Sequence, residues 1–382
     1  MKKIPKLRFP KFNDEWEKKK LESKVNFIAS GKSKIKVENG KYKLYGSTGP
    51  IGFVDTIDYE GKYILVARVG ANAGTVYKVD DKCGISDNTL VIECKEDVNY
   101  IFLYNKIKQY NLNKLIFGSG QPLITGGQLK DLKFCFPSLP EQEKIASFLS
   151  KVDESIEILE EEKELWEKYK KGMMQKIFSQ KLRFKDENGN DYPEWEEKRI
   201  GDLTKFHQQG YYTKDSYNLN NPYYLLSGAN IKKHKIDLAN CPKINASAKD
   251  FETFKVKKGD ILLIRSGNVG DYAIAYEEKN IIFGSYLIKF NLNSQIIINE
   301  FFGYFYQSES KERQLKMIIQ SSANVNINAE NIKSLKITLP TLLEQEKIAN
   351  FLSSIDEKIE IIEKELEGVK EFKKGLLQQM FV

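Results

Sequence analysis

Histidine occurs only twice and cysteine only four times in 382 residues, which leaves little material for metal or redox chemistry. His207 and His234 stand in no H-x-E or H-E-x-x-H spacing, so neither a zinc site nor His-based catalysis is expected. Cys83, Cys94, Cys135 and Cys241 are too far apart for any C-x2-C ligand pair and are expected to be small core residues. No apolar run approaches the ~18 residues of a membrane span. The amino end, MKKIPKLRFPKFNDEW, lacks the apolar centre of a signal peptide. A cytoplasmic chain with no membrane partner is therefore expected, one without an oxidising route to disulfides. Large aromatics are plentiful, with 22 Phe and 20 Tyr, and these exclude permanent disorder. At ~100 to 200 residues per domain, the length implies two to four units.

The chain is one unit written twice. Residues 141–178, beginning EQEKIASFL, align without a gap on residues 344–381, beginning EQEKIANFL, with 22 identities in 38 positions. Before each variable stretch stands a second pair of copies: KLRF at 6–9 followed by Glu15-Trp16, and KLRF at 181–184 followed by Glu194-Trp195. Apolar residues in the EQEKIA segments step alternately by four and three, from Ile145 to Ile177 and from Ile348 to Met380, which predicts long helices with a heptad seam. Lys163, Lys170 and Lys373 interrupt that seam. About 37 residues of helix span roughly 55 Å, too long for a small core to cover, so each seam predicts a partner helix. The order of the repeats implies a pseudo-twofold, ring-like arrangement in which the two helices lie antiparallel. Between them, alternating or apolar runs at 63–67, 75–79, 89–92, 261–264 and 287–290 read as strands. One amphipathic helix is predicted in each variable region, around 99–110 and around 299–319. The fold class is thus two mixed α/β (α+β) domains separated by a long antiparallel two-helix coiled coil, bounded at 1–140, 141–180, 181–343 and 344–382.

Charge points to a polyanion. The net charge is +7, yet the segments 141–180 and 344–382 are each −3, which leaves +13 on the rest. Phosphate contacts dominate nucleic-acid affinity, so a surplus of this size favours a polyanionic partner over a surface kept basic for solubility alone. Loops rich in Gly, Ser, Asn, Gln and Tyr supply candidate contacts, because Arg suits guanine, Asn and Gln suit adenine, and Ser or Lys holds phosphate. In the first region the candidates are Lys32, Lys34, Ser47, Thr48, Arg68, Asn72 and Gln121; in the second they are Gln208, Tyr211, Tyr212, Ser227, Lys232, Arg265, Ser266, Asn268, Ser322 and Asn324. Taken singly, such Gly and Asn clusters are ordinary turns. Arg68 and Arg265 each end an apolar run and precede a glycine by two residues. Both a base contact and a strand-end ion pair fit that placement.

Catalytic motifs are near misses. Gly31-Lys32-Ser33 imitates the end of a phosphate-binding P-loop, but the required earlier glycine is Asn26. Asn221-Pro222-Tyr223-Tyr224 approaches the NPPY box of adenine methyltransferases with Tyr223 in place of the second proline, and no Gly-rich cofactor turn accompanies it. Glu196-Glu197-Lys198 mimics a nuclease E-x-K without a suitably framed preceding acid.

The duplicated LPEQEKIA-type helix, the KLRF and Glu-Trp lead-ins, the alternation of repeated and variable regions, and the R-x-G and GSTGPIG patterns resemble the specificity subunit of type I restriction-modification systems over the whole chain. The resemblance implies two target-recognition domains, each reading one half of a split asymmetric site in double-stranded DNA, and a chain that is itself non-catalytic. It implies two methyltransferase subunits and, for cleavage, two restriction subunits as partners, with S-adenosylmethionine, ATP and Mg used by the complex rather than by this chain. Docking of those partners is expected on residues matched in both helices: Gln142, Lys144, Glu157, Lys171 and Gln175, and Gln345, Lys347, Glu360, Lys374 and Gln378. Leu139-Pro140 in one copy and Leu342-Leu343 in the other suggest slightly different helix starts. Open alternatives are a self-sufficient DNA methyltransferase or nuclease, and a stand-alone architectural DNA-binding protein.

Overall fold

A computed structural model describes residues 4–33, 37–116, 122–214, 218, 220–266, 270–320 and 327–382, with only the backbone of 319 and 320. The chain forms two compact units, residues 1–162 with 362–382, and residues 163–361.

In the first unit a six-stranded sheet runs in the order Val25–Ser30, Thr89–Cys94, Tyr59–Ala67, Val76–Ile85, Tyr42–Gly46, Gly49–Val54. Its central strand Tyr59–Ala67 is apolar at successive positions because both faces are covered. Ile64 and Val66 face a core that includes Phe102 and Leu103 of the helix Tyr100–Tyr110, while Tyr63 and Leu65 face a smaller cluster with Val79 and Ile85. The period of two divides the residues between the layers. Asn99 caps the helix, its side chain accepting from the backbone of Ile101 and Phe102.

The second unit repeats this plan with a different covering. Strands Thr204–Gln209, Leu287–Leu292, Ile261–Ile264 and Tyr272–Ile274 form a sheet in the same order as the first four above. Ile261 and Leu263 again face one cluster, and Leu262 and Ile264 another. A separate three-stranded sheet, Lys243–Ile244, Tyr223–Leu226 and Ile281–Phe283, shares a buried cluster with it, Leu226, Ile281 and Phe283 packing with Leu262 and Ile264. The helix expected over 299–319 is two helices, Asn299–Tyr306 and Glu309–Gln320. They part at buried Ser308, whose carbonyl and hydroxyl accept from Glu312 N at 3.1 Å and Lys311 N at 3.4 Å. A serine cap competes locally with helix continuation.

The repeated segments form the helices Leu139–Phe178 and Leu342–Met380, 40 and 39 residues long. Within the first unit they run antiparallel: Asp153 meets Lys373, and Glu160 meets Lys370 at 2.5 Å. Ile145, Leu149 and Val152 share a buried core there with Leu376 and Met380. Within the second unit Met174 and Ile177 are buried with Ile348, Leu352 and Ile355, and Lys170 pairs with Asp356 at 2.7 Å. The lysines that interrupt the heptad are therefore paired. Lys170 and Lys373 occupy matching positions in the two copies, as do Asp356 and Asp153, so each unit holds the same ion pair. The two helices also begin at matching residues. Pro140 lies in the first turn, where backbone N–H groups have no intrahelical acceptor, so proline and leucine serve equally and the expected difference in starts is absent.

The EQ dipeptide clamps the lead-in onto the helix. Glu141 accepts from Arg8 Nε at 2.7 Å and Nη2 at 2.8 Å, and from Trp16 Nε1 at 3.3 Å. Glu344 accepts from Arg183 Nε at 2.8 Å and Nη2 at 2.9 Å, and from Trp195 Nε1 at 3.1 Å. Hydrogen bonding to these carboxylates raises both guanidinium pKa values above the ordinary range. Gln142 and Gln345, expected on an outer face, are instead buried. Gln142 accepts from Asn99 N at 3.0 Å and donates to Pro137 O at 3.0 Å; Gln345 accepts from Ile298 N at 2.9 Å and donates to Pro340 O at 2.9 Å. Each satisfies backbone groups left unpaired where elements end, which an amide can do with both ends.

Cys83, Cys135 and Cys241 are buried, Cys94 is half-buried, and all four are free. Burial pushes the thiols of Cys83 and Cys241 up to about 11 and that of Cys94 to about 12, so they remain protonated. Among the described residues, no helix is long and apolar enough to cross a membrane.

Candidate nucleic-acid interface

The glycine-rich loops of the first unit meet at one end of the sheet. Arg68 follows the central strand; its N–H donates to Asn88 O at 3.1 Å and its carbonyl accepts from Ile124 N at 2.8 Å. Its Nη1 donates to Ser30 Oγ at 2.7 Å, and Ser47 Oγ donates to Asn88 O at 3.1 Å. Gly70 N donates to Pro122 O at 3.2 Å, joining loop 67–74 to the stretch that follows 121. Of the candidates, Ser47 is thus linked to Arg68 through the Asn88 carbonyl that both bond, while Ser30, which was not singled out, bonds the Arg68 side chain directly. Asn72 and Thr48 are exposed nearby in sequence, and the Lys32 ammonium is exposed 5.6 Å from the Tyr59 ring centroid. Lys34 and Gln121 lie outside the described residues.

The second unit holds Arg265 in the same frame. Its N–H donates to Tyr286 O at 3.0 Å and its carbonyl accepts from Ile327 N at 3.1 Å. Gly31 and Gly210 also correspond: their N–H groups donate to Thr89 O and Leu287 O, and an added Cβ would stand 2.3 Å from Ser86 O or 2.1 Å from Gly284 O. Only glycine allows that approach. By this match the counterpart of Ser30 is Gln209, an exposed residue that loop composition alone did not single out, whereas half-buried Gln208 stands opposite buried Lys289. A row of two opposed positions results in each unit, Arg68 with Asn88 and Arg265 with Tyr286, and Ser30 and Gln209 stand two residues inward of it, opposite Leu90 and Ile288.

Among the described residues, no carboxylate forms an ion pair with Arg68 or Arg265, so the strand-end ion pair has no partner there. Arg68 Nε is buried and has no hydrogen-bond partner among the described residues.

Other candidates are taken up by the fold. The Tyr211 ring packs 5.3 Å from Phe254, and its N–H donates to Phe283 O at 2.8 Å. Ser227 Oγ donates to Asn230 Oδ1 at 2.8 Å in a local cap. Lys232 pairs with Asp237 at 2.5 Å. Tyr212 is 69% exposed and Ser266 half-buried. Asn268, Ser322 and Asn324 lie outside the described residues.

The near-miss motifs have structural uses as well. Ser33 is buried against Asp58, Tyr223 stacks on Phe251 at 4.3 Å, and Glu196–Arg199 is a strand paired with Lys336–Leu339. On the helices, Lys144, Glu157, Lys171, Gln175, Lys374 and Gln378 are exposed. Lys347 donates to Lys185 O at 2.8 Å, and Glu360 pairs with Lys235.

Residues 13–167 and 192–371 match the family model described as the type I restriction modification DNA specificity domain. The MjaVIII specificity subunit of Methanocaldococcus jannaschii, a type I restriction enzyme subunit, is 29% identical over 82% of this chain and 77% of its own length. A putative MjaX specificity subunit from the same organism is 30% identical over 72% of this chain and 65% of its own. Among solved structures, a type I restriction-modification S subunit from M. genitalium superposes with a TM-score of 0.68 at 20% identity, covering 99% of both chains.

Proposed function

The chain belongs to the type I restriction modification DNA specificity family, and from that premise we propose that it reads a bipartite, asymmetric site in double-stranded DNA for a multisubunit complex. Residues 1–140 and 181–343 act as the two target-recognition domains, and the helices within 141–180 and 344–382 act as an antiparallel coiled-coil spacer. This chain carries no catalytic step. Methylation belongs to two modification subunits using S-adenosylmethionine, and cleavage, where it occurs, to two restriction subunits using ATP and Mg. The names of the relatives as specificity subunits support this division. Exposed charged and amide residues of the helices, Lys144, Glu157, Lys171, Gln175, Lys374 and Gln378, offer the docking surface.

One observation carries the reading. Each of two domains matched to the family presents an arginine at the same strand end, framed by the same backbone bonds and free of a carboxylate among the described residues. A guanidinium so placed can give two hydrogen bonds to guanine, worth ~1 to 3 kcal/mol of discrimination. The test is base selection from a pool of randomised duplexes. Arg68→Ala should relax one half of the selected site and Arg265→Ala the other. Equal weakening of all sequences by both variants would assign these arginines to phosphate and remove the base-reading role.

A further inference from the structure

The row at the sheet end contains a position in each unit whose side chain the fold does not use. Strand register sets Ala67 opposite Thr89 and Ile264 opposite Leu287. The next residues outward, Asn88 and Tyr286, therefore stand opposite Arg68 and Arg265, and the backbone bonds of 3.1 and 3.0 Å close each pair. Directly opposed side chains of antiparallel strands project from one face with Cβ atoms roughly 5 Å apart. Asn88 is exposed, and Tyr286 is 63% exposed. The hydrogen bonds these two residues make among the described residues use their backbone carbonyls.

Both residues occupy the third place of a tight turn, closed by Thr89 N to Ser86 O at 3.1 Å and by Leu287 N to Gly284 O at 2.9 Å. Turn chemistry explains an asparagine there, but it supplies no reason for an exposed tyrosine. The backbone is the same in the two units while the side chain differs, as a reading position requires when two domains recognise different sequences.

The geometry assigns Asn88 and Tyr286 as specificity-determining residues, each meeting the base pair next to the one met by the opposing arginine. This assignment rests on the DNA-reading function proposed above. The Asn88 amide both donates and accepts, which suits the N6 and N7 edge of adenine, whereas Tyr286 offers a ring face for a thymine methyl and one hydroxyl.

The experiment uses the full-length chain, purified from its own host with the subunits that accompany it, and a pool of randomised duplexes. Wild-type protein should enrich a bipartite sequence; enrichment of none would overturn the DNA-reading function and this assignment with it. Given that enrichment, Asn88→Ala should relax one base pair in one half-site, and Tyr286→Ala one in the other, each by roughly 10- to 100-fold in preference. The exchange variants Asn88→Tyr and Tyr286→Asn should install new preferences at those same pairs. Unchanged letters in all four variants would overturn the assignment while leaving the reading function standing. So would a uniform loss of affinity without a change in letters, or a loss that tracks a lowered Tm.

Discussion

Glu141 and Glu344 each hold one guanidinium and one indole, and their side chains are 2% and 0% exposed. A buried carboxylate is stable only while its cation remains, because the charge cannot recover its hydration. Arg8→Ala should therefore destabilise the first unit by about 3 kcal/mol in urea unfolding, and Arg183→Ala should do the same in the second. The partner of Glu141 lies 133 residues away along the chain, so periodicity along the helix could not reveal the pairing. Acids and amides at helix starts are usually solvated, which is why Gln142 and Gln345 read as surface. Lys311 is a second case. It is 5% exposed, donates to Gly270 O at 3.0 Å and stands 4.3 Å from the Tyr306 ring centroid, and burial lowers its pKa to about 8. Asp271 and Glu312 pull the other way. Unfolded chains bind more protons than folded ones between pH 8 and the unfolded lysine value, so this group makes stability rise with pH across that window. Between pH 8 and pH 10 wild type should gain about 1 to 2 kcal/mol more than Lys311→Met in denaturant titrations, the ionising tyrosines being common to both proteins.

The helices and strands were the most legible level. Heptad spacing placed both long helices, and Ile145, Leu149, Val152, Ile177, Ile348, Leu352, Ile355, Ile362, Leu376 and Met380 of the seam are buried, whereas Ile156, Leu159, Trp166, Ile359, Leu366 and Val369 are half-buried and Met174 is buried in place of Met173. Apolar runs placed the central strands, since a strand covered on both faces must be apolar throughout. The matching sheet order of the two variable regions was not legible, because strand order depends on long-range pairing that dissimilar sequences can satisfy equally. Nor was the helix break at Ser308, where the amphipathic pattern runs on across the cap. Pro140 invited a difference in helix starts that its position cancels. Leu343→Pro, which copies the first helix start into the second, should accordingly change thermal stability by no more than about 0.5 kcal/mol.

For the whole molecule, the proposed spacer makes a quantitative demand. Inserting one heptad between Ile156 and Leu159, and one between Ile359 and Ile362, keeps the seam in phase and lengthens each helix by ~10 Å. At ~3.4 Å per base pair, the unread gap between half-sites should grow by up to ~3 bp with unchanged half-site letters. Mapping methylated bases in cells that carry this variant measures both; altered letters with the old gap would mean that the helices are not the ruler. Duplication, heptad period, charge partition and family resemblance are all properties of residue order, and order alone was enough to place the chain in its family and to locate the two repeated helices. Which loop residues stand together was decided by the folded sheet. Arg68, Ser30 and Asn88 lie at three separate strand ends that no spacing rule connects; antiparallel register sets Arg68 opposite Asn88 and brings the end of the strand Val25–Ser30 within hydrogen-bond reach of the Arg68 side chain.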